Sequence, residues 1–118
     1  DDVNTDDPAV VAGMIDIFKD IVENFRPDGF RVDTVKHVNT EFWAEFTPAV
    51  LEHANKVGIP NFHIFGEVYD GDPKVLSHYT TDGNMPGILD FGFQGTTYDV
   101  FVNGSGTDKL KRLFDQDD

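Results

Sequence analysis

The chain has 118 residues, with 22 Asp and Glu against 9 Lys and Arg, a formal net charge of -13 and a pI near 4.3. One domain with a single hydrophobic core fits this length. DNA, RNA and anionic membrane surfaces are excluded as partners, because neutralising phosphate takes clustered Lys and Arg. The absence of cysteine removes any disulfide framework or thiolate metal site, and no apolar run approaches the roughly 18 residues of a membrane span or forms a signal peptide. The acidic start "DDVNTDD", without a methionine, and the acidic end "DQDD" suggest a processed product or an excised piece.

Asp7 and Pro8 form an N-cap and first-turn pair, so a helix is predicted to begin there. Val11, Met14, Ile15, Phe18, Ile21, Val22 and Phe25 follow at three-and-four spacing on one face, and Pro27 and Gly29 end the run. A short strand is predicted from Phe30 to Asp33, then a helical stretch from about Thr40 to Val57, in which Thr47-Pro48 reads equally as a kink or a fresh start. Gly58 and Pro60 close it. "FHIFGEV" at 62–68 predicts a second strand and "GILDF" at 87–91 a third, separated by a short polar helical segment and followed by a last segment around Leu110.

This order of elements is a run of βα units, which gives an α/β fold with a parallel sheet and right-handed crossovers. Ligand sites in such folds lie at the C-terminal ends of the strands, where Asp33, Glu67 and Asp90 are placed. Alternation puts Arg31 and Asp33 on one face with Phe30 and Val32 on the other, and sets His63, Phe65 and Glu67 against Phe62, Ile64 and Gly66. One face is apolar and meets helices; the other carries a cation, two acids and a histidine.

Parallel neighbours lie about 4.8 Å apart, so carboxylates at equal height on adjacent strands match the roughly 5 to 5.5 Å separation of a retaining glycosidase. Two other readings stay open at this level. Acids at successive strand ends can hold Mg²⁺, as in enolase-type lyases; alternatively, each acid is a helix cap or solvated charge. His37, His53, His63 and His78 lack the short spacing of a zinc site. "GNMPG" and "NGSGTD" lack the Lys-Ser/Thr pattern of a phosphate loop. Tyr69 offers a ring for stacking on sugars, whereas Trp43 reads as a helix residue packing inward.

"GFRVDTVKHV" and "FGEVYDGDP", in this order and separation, closely resemble the second and third conserved regions of the α-amylase family, glycoside hydrolase family 13. "DVNTDDP" upstream and "GILDFGF" downstream extend the resemblance over nearly the whole chain, nearest to fungal-type and related bacterial α-amylases. The resemblance implies that residues 1–118 form a central fragment of a (β/α)₈ TIM barrel, about strands 4 to 6 with their flanking helices. It implies Asp33 as the nucleophile that forms a covalent glycosyl-enzyme, Arg31 as its orienting cation, and Glu67 as general acid and base with a raised pKa. Lys36 and His37 match positions that contact glucose units on the leaving-group side. Asp2 and the His37 carbonyl match ligands of a structural Ca²⁺.

The implied substrate is an α-glucan or maltooligosaccharide, cleaved at α-1,4 bonds. A transglycosylating or isomerising relative keeps the same Asp and Glu, and a non-catalytic carbohydrate-binding fragment is a further alternative. Only the resemblance points to a secreted or periplasmic parent. A whole barrel takes about 250 residues, and the family's first and fourth conserved regions, the latter with the third catalytic acid, have no counterpart here. The fragment alone is therefore expected to be inactive, and its exposed strand edges invite self-association.

Overall fold

The computed structural model describes residues 3–117. Helix α1 (Pro8–Phe25) starts where the Asp7-Pro8 pair predicts: the Asp7 carboxylate accepts from the Ala9 amide at 2.9 Å, satisfying one of the free donors of the first turn. It ends on Arg26 in the left-handed region (φ 48°), whose amide donates to the Val22 carbonyl. The predicted apolar face turns inward at Val11 and Val22 and half inward at Met14, Ile15, Phe18 and Ile21, but Phe25 is exposed.

Strand β1 (Gly29–Val32) pairs in parallel with β2 (His63–Gly66), with Gly29 opposite His63 and Val32 opposite Gly66. β1 keeps its predicted length but starts one residue earlier, at Gly29, while β2 is shorter than the predicted 62–68. The third strand shrinks to a single parallel bridge between Gly66 and Ile88, carried by two backbone bonds, Gly66 N to Gly87 O and Leu89 N to Gly66 O. Gly66 is the meeting point of the three segments, and a Cβ there would lie 2.8 Å from a Val35 methyl, well inside contact distance.

Helix α2 (Thr40–Lys56) runs through Pro48 without a break, which settles the ambiguity at Thr47-Pro48. Pro48 has no N–H for the carbonyl four residues back. The Asn84 side-chain amide donates to that carbonyl, Ala44 O, at 3.3 Å. Helix α3 (Pro73–Thr81) is capped by Asp72, which accepts from the Lys74 amide at 3.0 Å.

Two helices follow the bridge. One, α5 (Asp108–Asp117), accounts for the last segment around Leu110, while α4 (Phe91–Phe101) has no counterpart among the predicted elements. Its two internal glycines and consecutive threonines are poor helix formers. It is fixed instead by the Asp90 cap, at 2.7 Å from the Phe93 amide, and by packing on α5, where Phe93 meets Phe114.

The core lies between the apolar sheet face and the helices. Phe62, Ile64, Gly66 and Val68 are buried, Phe30 and Val32 half-buried, and Phe18 packs edge-on against both Phe30 (5.5 Å) and Phe46 (5.2 Å), tying α1, β1 and α2 together. Trp43 points inward as expected and donates its ring N–H to the Val35 carbonyl at 3.1 Å. Its ring and its polar edge are both satisfied, so it is core and not a sugar platform. Among the described residues no helix is long and apolar enough to cross a membrane.

Candidate active site

The register that pairs Val32 with Gly66 places Asp33 and Glu67 one step beyond, at equal height. Backbone bonds lock that step: the Glu67 amide donates to Val32 O at 2.7 Å and the Val35 amide to Glu67 O at 3.0 Å. Between them the chain reverses through Thr34 in the left-handed region (φ 51°). A β-branched residue rarely adopts this conformation, and holding it costs about 1–3 kcal/mol, a strain that concentrates at functional sites. The turn then tightens into a 3₁₀ segment, Val35–His37, with Val35 wholly buried as its anchor.

Arg31 lies on the open face, two residues before Asp33. One guanidinium nitrogen, Nη1, donates to Asp33 Oδ1 at 2.9 Å, and the other, Nη2, donates to Glu67 Oε2. Arg31 was expected to hold Asp33; it bonds both acids. The guanidinium fork is planar and rigid, so it fixes the two carboxylates relative to one another. Glu67 is the more enclosed, with 22% of its side chain exposed against 65% for Asp33.

The fold also answers the capping alternative. Asp7, Asp72 and Asp90 each accept a backbone N–H at the start of a helix. Neither Asp33 nor Glu67 does; the side chain of each bonds Arg31. Asp90, placed by the sequence at a strand end beside the other two, is thereby removed from the group and assigned to α4.

A groove of about 380 Å³ is lined by Thr34, Lys36, His37, Glu67 and Tyr69. Lys36 and His37 share this groove with Glu67 and with Tyr69, which is 76% exposed and held edge-on by Phe91 at 4.9 Å. Lys36 Nζ donates to Asp70 Oδ2 at 2.6 Å. The bond to Asp70 raises the Lys36 pKa above its ordinary value, and the bond from Lys36 holds Asp70 below its own. Nothing in the sequence alone marks Asp70 as the partner of Lys36. A larger apolar cavity of about 540 Å³ between α1, β1 and α2 has Arg31, Asp33 and His37 in its wall, along with Phe18, Phe30 and Phe46.

The open face of the strands therefore gathers two acids bridged by one cation, beside a groove with further hydrogen-bonding groups and an exposed aromatic ring. Nucleophilic and acid–base chemistry at a polyol substrate suits that set. Of the two residues matched to metal ligands, Asp2 lies outside the described residues and the His37 carbonyl is on the 3₁₀ segment. Among the described residues no three His, Asp or Glu side chains come together as a metal-holding group, so the Mg²⁺ reading finds no cluster there.

Residues 1–117 match the family model for the α-amylase catalytic domain. An α-amylase of Streptomyces lividans is 43% identical over 117 residues, 99% of this chain and 13% of that protein. A cyclomaltodextrin glucanotransferase of Klebsiella oxytoca is 29% identical over 87 residues, 67% of this chain and 13% of that protein. The crystal structure of an Anoxybacillus α-amylase superposes with a TM-score of 0.77 at 28% identity, over 97% of this chain and 24% of that one. The chain therefore spans only about an eighth of the curated relatives named, and its fold is part of a TIM barrel.

Proposed function

Because the chain belongs to the α-amylase family, we propose that it forms part of the catalytic domain of a retaining α-glycosidase that cleaves α-1,4-glucosidic bonds in starch-like glucans. The observation that carries this reading is the single guanidinium bonded to both Asp33 and Glu67. The shared guanidinium joins two carboxylates that follow paired positions of adjacent strands, and a strand spacing of about 4.8 Å supports the roughly 5 to 5.5 Å separation of a retaining pair.

The Asp33 carboxylate attacks the anomeric carbon, forming a C–O bond as the bond to the leaving sugar breaks. Glu67 gives its proton to the departing oxygen. Water then attacks the same carbon, Glu67 takes the water's proton, and Asp33 leaves as carboxylate. Two inversions return the original anomeric configuration. Arg31 keeps Asp33 in line for the first step, while the groove beside Glu67 holds the sugars that leave.

This reading is tested on the full-length protein with maltooligosaccharides, following the product anomer by NMR. The first-formed reducing end is expected to be the α-anomer, and the 118-residue chain alone is expected to give no turnover. A β-anomer at first appearance would overturn it. The similarity to a cyclomaltodextrin glucanotransferase of Klebsiella oxytoca makes glucosyl transfer a second outcome to look for. Transfer products in the same spectra would mark that outcome.

We further propose that Asp2 and the His37 carbonyl contribute to a structural Ca²⁺ site. A carboxylate and a backbone carbonyl are hard oxygen donors suited to that ion, which would tie the segment before α1 to the turn after Asp33. Chelation of the full-length protein is expected to lower its Tm and Ca²⁺ to restore it; Asp2→Asn should blunt the restoration. A Tm indifferent to chelator would contradict the site.

A further inference from the structure

Lys36 and Asp70 occupy matching places, each three residues beyond an acid at the end of its strand, and their ion pair crosses from the β1–α2 loop to the β2–α3 loop. Asp70 is held from both sides. Its Oδ2 takes the Lys36 ammonium at 2.6 Å, and its Oδ1 accepts the Asp72 amide at 3.0 Å. Asp72 in turn caps α3. The carboxylate is thus fastened to the start of a helix, with 24% of its side chain exposed, while Lys36 is 44% exposed along the groove that Glu67 lines.

From this geometry we infer that Asp70 is a positioning residue, holding the Lys36 ammonium at a set place in the groove so that it grips the sugars on the leaving-group side. The inference rests on the glycosidase reading, since Glu67 as proton donor marks that groove as the place of the departing sugar. A free lysine samples many rotamers, and part of that freedom is lost whenever a ligand immobilises it. Pairing with Asp70 orders the chain before substrate arrives. An ammonium has three donors; one is spent on Asp70 and two remain for sugar hydroxyls. The raised Lys36 pKa and lowered Asp70 pKa keep both partners charged.

The test is a double-mutant cycle in the full-length protein with Asp70→Asn, Lys36→Met and both together. Each is assayed on maltoheptaose and on an aryl maltoside that has no sugar beyond the scissile bond. Asp70→Asn should raise KM for maltoheptaose about tenfold with kcat changed less than threefold, and should affect the aryl maltoside far less. Once Lys36 is Met, Asp70→Asn should add less than a twofold further change, while Asp70→Glu should recover part of the loss. Additive effects of the two substitutions, or equal losses on both substrates, would overturn the positioning role, since a merely structural Asp70 would act in that way. A wild-type protein without glucan cleavage would overturn the glycosidase reading itself and this inference with it; an active one with an additive cycle overturns the inference alone.

Discussion

Asp33→Asn in the full-length protein is expected to lower kcat on α-1,4-glucans by about 10⁴-fold or more, the scale seen when a covalent nucleophile is removed from an otherwise intact site. An amide has nearly the shape of a carboxylate but is a very poor nucleophile at the anomeric carbon. Its oxygen can still accept from Arg31 Nη1, so the site should keep its geometry. The Asp33 side chain caps no helix, and its isosteric amide keeps the bond from Arg31, so its substitution should leave the Tm nearly unchanged. Activity and stability are thereby separated: a loss of rate with an unchanged Tm is the signature of a nucleophile. If Asp33 were only a partner for Arg31, the rate would fall by no more than a small factor.

Glu67→Gln should lower kcat on natural glucans by about 10² to 10⁴-fold, the usual contribution of a positioned acid. The effect should depend on the leaving group. A glucosyl oxygen needs the proton to depart, whereas a nitrophenolate leaves unaided, so the first step on a nitrophenyl maltoside should be largely preserved. The second step also uses Glu67, as base, and should become slow, so that a burst of nitrophenolate precedes a low steady rate. Equal losses on both substrates, with no burst, would show that Glu67 supports the site without transferring a proton.

The βα order and the two-faced character of the strands were legible in the sequence because both rest on local signals: N-caps at Asp7, apolar periodicity in α1, alternation in "FHIF". The open face follows from period two alone, and it correctly gathers Arg31, Asp33, His63 and Glu67. Element lengths were less legible. A strand needs neighbours, and "GILDF" contributes a single bridge at Ile88. The same stretch supplies Asp90 as cap for α4, a helix whose glycines hide it from propensity and whose stability comes from Asp90 and from contact with α5.

The site was legible as residues but not as bonds. Asp33 and Glu67 are 34 positions apart, and so are Gly29 and His63, Val32 and Gly66, and Lys36 and Asp70. One register offset therefore generates the paired acids and the ion pair together. A search for opposite charges at that offset finds Lys36 and Asp70 at once, yet the offset becomes visible only when the strands are known to be adjacent and in phase. The fork of Arg31 onto Glu67 is a cross-strand contact of the same origin: Arg31 lies opposite Phe65, two residues before Glu67 on the same face.

The most direct test of the paired-carboxylate account is to trap the glycosyl-enzyme of the full-length protein with a fluorinated maltosyl fluoride and locate the label by peptide mass spectrometry. One added glycosyl group is expected, carried by the peptide containing "GFRVDTVKHV" and mapped to Asp33, with no trapped species in Asp33→Asn. A label on any other residue, or turnover with inversion and no trapped species, would contradict it.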